Sequence, residues 1–130
     1  MLDKVEYWLH SADEDVSVAE VLLNGKKYLQ VGFFCHLIAE KALKAMVASI
    51  TSELPSKTHD LAKLSELAGI FDDLTEQQTN LLKDLNPLNI EARYPDYRVG
   101  ITSILTPEKT VKLFRETEGF LCWIKQRLDK

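Results

Sequence analysis

Residues 31–50 read VGFFCHLIAEKALKAMVASI, from Val31 to Ile50, and this is the most apolar stretch of the 130-residue chain. Its length suits a membrane span, but His36, Glu40, Lys41 and Lys44 interrupt it, and four such groups exclude an ordinary transmembrane helix. Phe33, Phe34, Leu37, Ile38, Ala39, Ala42, Leu43, Ala45, Met46, Val47 and Ala48 leave little room for a wet face. A helix from about Leu29 to Ile50, apolar nearly all round, is therefore the expected central and most buried element.

Toward the N-terminus, apolar residues recur from Val5 at Trp8, Leu9, Ala12, Val16, Ala19, Leu22 and Leu23, the period of a long amphipathic helix. Asn24-Gly25 supplies a left-handed stop, and Lys26-Lys27 place positive charge near the helix's negative end. Toward the C-terminus, the segment around Pro55-Ser56-Lys57 reads as loop, and Thr58 is the expected cap of a third helix with Asp60 in its first turn. Leu61, Leu64, Leu67 and Ala68 give that helix its stripe, and Gly69 ends it. Thr75-Glu76-Gln77-Gln78 fits a capping box. The fourth helix starts there, carries Leu81, Leu82 and Leu85 inward, kinks at Asn86-Pro87 and continues through Leu88, Ile90 and Ala92 until Tyr94-Pro95. Thr106-Pro107 opens the last helix, with Val111, Phe114, Leu121, Ile124 and Leu128 facing inward. No segment alternates as a strand would, so the fold class is all-α, a helical bundle of about five helices in a single domain, 1–130.

A net charge of −4 and a pI near 5.4 oppose an electrostatic grip on duplex DNA. Cys35 and Cys122 sit among apolar neighbours without CxxC or ligand spacing and are expected as reduced packing residues. The N-terminus carries Asp3, Lys4 and Glu6 rather than an apolar signal core, which points to a cytoplasmic protein. There is no Gly-rich phosphate loop, no HExxH and no nucleophile elbow, and three scattered histidines do not make a metal site by spacing, so neither metal nor cofactor is expected.

Three polar groups can carry chemistry. His36, Glu40 and Lys44 stand four residues apart on the second helix, with Lys41 beside them. The column is either a narrow solvent edge with an ordinary Glu40–Lys44 ion pair or the lining of a groove that receives phosphate or nucleobase. Thr58-His59-Asp60 lies at a helix start, where free amides favour an anion, although most such histidines cap or pack. Glu91-Ala92-Arg93-Tyr94-Pro95-Asp96-Tyr97-Arg98 sets a planar two-pronged donor beside stacking rings. Its structural alternative is a local Arg93–Asp96 pair that stops the helix, with the tyrosines as lids on the core.

Tyr7-Trp8-Leu9 through Ala12-Asp13-Glu14-Asp15 and Ala19, then His36 with Ala39-Glu40-Lys41-Ala42-Leu43-Lys44-Ala45, then Thr58-His59-Asp60-Leu61, and finally Glu91-Ala92-Arg93-Tyr94-Pro95-Asp96 occur in this order. Together they resemble the HEPN domain family, named for a proposed association with nucleotides, over nearly the whole chain. The resemblance implies an up-and-down bundle, often a homodimer, that acts beside a minimal nucleotidyltransferase, some such pairs working as toxin and antitoxin. Many members cleave RNA without metal, using an arginine followed four to six positions later by a histidine. This chain departs from that pattern, because its last histidine is His59 and neither Arg93 nor Arg98 can be followed by one. Metal-free cleavage needs an acid and a base suited to imidazole, so the departure ranks a ribonuclease toxin second and a non-catalytic interaction domain third. The first expectation is a nucleotide-binding protein, with His36, Lys41, Lys44, His59 and Arg93 on phosphates, Glu40 and Asp96 orienting the basic groups and Tyr94 stacking. Nucleotide or RNA is the expected ligand, without membrane association.

Overall fold

A computed structural model describes residues 3–51, 57–91 and 105–129. Among them are helices α1 (Lys4–Asn24), α2 (Tyr28–Ile50), α3 (Leu61–Leu67), α4 (Glu76–Leu85), α5 (Leu88–Glu91) and α6 (Pro107–Leu128), with a short 3-10 turn at Phe71–Asp73 and no strand. The chain is all-α. Within the described residues the expected fourth helix is the pair α4 and α5, parted where Pro87 supplies no amide hydrogen, and its expected end at Ala92 to Pro95 lies outside them.

α1 and α2 are 21 and 23 residues long, pack against each other and are joined by Gly25–Lys27 alone, so they run antiparallel. α2 touches each of the other five helices among the described residues, as its apolar composition requires. Val31, Cys35, Ile38, Ala39, Ala42 and Leu43 of α2 meet Ala12 and Ala19 of α1, Leu61 and Leu64 of α3, Leu85 of α4, and Phe114 and Ile124 of α6 in one core. Alanines on the α1 and α2 faces let the backbones approach closely. Gly32 does the same on the far side of α2, where a Cβ would stand 2.8 Å from a Leu105 methyl and 3.2 Å from a Leu88 methyl.

The helix ends show where local reading holds and where it does not. Thr75 and Gln78 form both bonds of the capping box, and Thr106 caps α6 ahead of Pro107. At α1 the left-handed residue is Lys26, with φ +61°, and not Asn24-Gly25. Lys26 and Lys27 donate their amides to Leu23 and Leu22, and that pairing of orphan carbonyls holds a non-glycine residue in the αL region. Gly69, at φ +74°, closes α3 as expected, with Gly69 and Ile70 donating to Glu66 and Ser65. The cap of α3 is Asp60 rather than Thr58, because the Asp60 carboxylate takes the amides of Ala62 and Lys63.

Three inward assignments are corrected. Leu67 and Val111 are exposed, since each lies more than 100° around its helix from the centre of the buried face, formed by Leu61, Leu64, Ser65 and the cap residue Ala68 at α3 and by Thr110, Leu113, Phe114, Thr117 and Leu121 in α6. Cys122 is exposed, whereas Cys35 is buried. No helix among the described residues is long and apolar enough to cross a membrane.

Candidate functional site

The polar column on α2 lies inside the protein. His36, Glu40 and Lys44 project from one side of the helix by their spacing of four, and their exposures are 0%, 4% and 8%. This is not a solvent edge. His59, just before α3, closes on the column, and Trp8 of α1 covers its far end, with the Lys44 ammonium 5.3 Å from the ring centroid.

Two hydrogen bonds tie His59 to this column from opposite sides. His36 Nε2–H donates to the His59 backbone carbonyl at 3.0 Å, and a carbonyl only accepts, so Nε2 carries the proton. His59 Nδ1–H in turn donates to Glu40 Oε1 at 3.0 Å. The other Glu40 oxygen receives Lys44 Nζ at 2.7 Å. His36 Nδ1 faces Glu40 Oε1 at 3.5 Å and makes no hydrogen bond among the described residues. The His59 side chain is the outlet of the cluster, 55% exposed against 6% for Glu40.

Protonation follows from these contacts. Burial pushes the Glu40 carboxyl up, but the hydrogen bonds from Lys44 and His59 outweigh it, and the group is held below its ordinary 4.5. Burial pushes His36 below 6.5, against the opposing pull of Glu40 and of the bond to the His59 carbonyl. Near neutral pH Glu40 is therefore a carboxylate and His36 a neutral imidazole.

The start of α3 is fully capped. Leu61 N–H goes to Asn86 Oδ1 at 2.9 Å, Ala62 and Lys63 go to Asp60, and Asn86 Nδ2 donates to Asp60 at 3.1 Å. The Asn86 hydrogen bond leads the effects that hold Asp60 below its usual 3.8. The expected anion subsite at this helix start is thus already occupied by side chains of the protein.

Of the residues named from sequence, the fold brings His36, Glu40, Lys44 and His59 together. Lys41 turns instead to Asp15 of α1, at 2.7 Å. Arg93, Tyr94 and Asp96, with Tyr97 and Arg98, lie outside the described residues. Trp8 and Asn86 were missed as members of the site. Trp8 reads as one of many core-face residues of α1, and Asn86 reads as part of a kink; neither carries a local signal for a contact 36 or 26 residues away. A cleft of about 460 Å³ elsewhere, between α4, α5 and α6, is lined by Leu88, Leu105 and Leu113 together with Lys83, Asp84, Lys109, Lys112 and Glu116, with no part of the polar column in it.

Comparison with protein families matches the HEPN domain over residues 5–128. Among solved structures, TT1696 from Thermus thermophilus is similar at a TM-score of 0.77 and 21% identity, over 96% of this chain and 98% of that one. ST0689, described as an archaeal HEPN homologue, is similar at a TM-score of 0.67 and 20% identity, over 98% and 99%. Identities this low speak to the fold alone. No curated protein matches.

Proposed function

The chain belongs to the HEPN domain family, and from that premise we propose that it is a nucleotide-binding protein acting as a homodimer beside a minimal nucleotidyltransferase, as a toxin and antitoxin pair. One observation carries the binding reading: an exposed imidazole, His59, is held in place by a buried carboxylate, Glu40, which a buried ammonium, Lys44, neutralises. A protein core tolerates such charges only when they are paired and hydrogen-bonded. Their arrangement around the one histidine of the cluster that reaches solvent favours a binding role over mere packing.

In this reading His59 meets the nucleotide, while His36, Glu40 and Lys44 hold it from behind. Arg93, Tyr94 and Asp96 enter on their chemistry, as a phosphate grip, a stacking ring and an orienting carboxylate. Lys41, held by Asp15, has the weakest place in the set. The partner rests on the family: its members frequently act beside a nucleotidyltransferase.

Calorimetry of the purified protein against ATP and GTP tests the reading. Heat of binding is expected, weakened by roughly tenfold in His59→Ala, the weight of one hydrogen bond; no heat at high protein concentration overturns it. RNA incubated without metal is expected to stay intact. Breakdown that His59→Ala abolishes would put a ribonuclease in its place. Pull-down with the product of the neighbouring gene tests the partner: a nucleotidyltransferase that associates supports it, and a neighbour of another kind, or one that fails to associate, removes it.

A further inference from the structure

Which part of a nucleotide meets His59 follows from the side of its ring that is left open among the described residues. Glu40 Oε1 fixes the proton on Nδ1. Oε2 of the same carboxylate takes the Lys44 ammonium at 2.7 Å, so the charge of Glu40 is balanced within the fold before the imidazole is counted. A neutral ring with its proton on Nδ1 leaves a bare lone pair on Nε2. His36 pins the backbone carbonyl of the same residue, so His59 is held at its backbone and at ring Nδ1.

The surroundings disfavour an anion there. The amides of Leu61, Ala62 and Lys63, which would otherwise receive a phosphate, are taken by Asn86 and Asp60. Asp60, next in sequence and exposed, is itself turned to those amides and to Asn86. A phosphate oxygen arriving at Nε2 would meet a lone pair where it needs a donor.

We infer that His59 acts toward a bound nucleotide as a hydrogen-bond acceptor, taking a neutral donor, a ribose hydroxyl or a base N–H, through Nε2. This rests on the nucleotide-binding reading above and assigns the phosphates to other residues.

Long-range proton–nitrogen correlation spectra of the ligand-free, nitrogen-15-labelled protein at neutral to mildly alkaline pH read the tautomer directly. Nδ1 is expected protonated and Nε2 bare, and Glu40→Ala is expected to shift the ring toward the Nε2–H form that isolated histidine favours. A protonated Nε2 in the wild-type protein overturns the acceptor role, and that readout needs neither ligand nor variant. In calorimetry, His59→Ala is expected to weaken adenosine and ATP alike by roughly tenfold and to leave inorganic tripolyphosphate unchanged. Equal weakening of tripolyphosphate overturns the assignment. 2′,3′-Dideoxy-ATP, which lacks both free ribose hydroxyls of ATP, separates the two donors: loss of the His59 effect marks the ribose, and its persistence marks the base. If no nucleoside or nucleotide binds while Nε2 is bare, the nucleotide reading falls together with the choice of donor, and the tautomer alone stands.

Discussion

Glu40 and Lys44 place two full charges where almost no water reaches them, and each is tolerable only because of the other. Lys44→Met leaves a buried carboxylate without its cation and is expected to cost about 3 kcal/mol in urea unfolding. Adding Glu40→Gln removes the stranded charge, and the double variant is expected to return to within about 1 kcal/mol of wild type, since a buried pair and its neutral replacement are often close in stability. Additive losses in that cycle would show that the two side chains do not act as a unit. The cysteines give a second test. Burial pushes the Cys35 thiol up to about 12, ahead of the opposing bond with Thr117, whereas Cys122 is open to solvent. A mildly alkaline thiol reagent should therefore label one cysteine in the native protein and two after unfolding. Reaction of two in the native state would contradict the burial of Cys35.

Among the elements, the junction of α3 with the break between α4 and α5 is held by one side chain. Asn86 accepts from Leu61 and donates to Asp60, so Asn86→Ala leaves a half-buried amide without a partner and loosens the cap. The expected loss is about 1 to 2 kcal/mol, read as a fall in thermal midpoint of roughly 3–8 °C; an unchanged midpoint would deny the staple. Gly32→Ala tests helix approach. Alanine favours the helix by about 1 kcal/mol over glycine, but its methyl meets Leu105 and Leu88 within contact range, and overpacking of this kind costs about 1–3 kcal/mol. A net loss is expected, and a gain would mean that the leucines yield freely. These two sites also show why some helix ends were legible in the sequence and others were not. The Thr75 and Gln78 cap closes within four residues, so its chemistry is local. The choice of Asp60 over Thr58 depends on Asn86, 26 residues later, and the αL turn at Lys26 depends on carbonyls that are otherwise unpaired.

At the scale of the whole molecule, the bundle follows from one apolar helix that needs cover on every side, and that need was plain in residues 31–50. The column of His36, Glu40 and Lys44 was equally plain as a spacing of four. Its burial was not, because it depends on Trp8 and on the chain around His59, which the spacing does not encode. Burying that column makes the stability of the entire fold respond to pH in two steps. The native state disfavours the protonated form of His36, so the unfolded chain binds more protons as pH drops below 6.5, and stability falls from there through the lowered native value. Glu40 is depressed in the native state, so its contribution is complete above 4.5 and is lost as pH falls through its own lower value. Urea midpoints taken across this range are expected to be level at neutral and mildly alkaline pH, to decline below about 6.5 and to decline again below about 4.5. His36→Gln should flatten the first decline and leave the second, because glutamine keeps a donor near the His59 carbonyl without a proton to gain. If the first decline survives that substitution at full size, the buried imidazole is not its origin, and the coupling of this interior cluster to the global fold is lost with it.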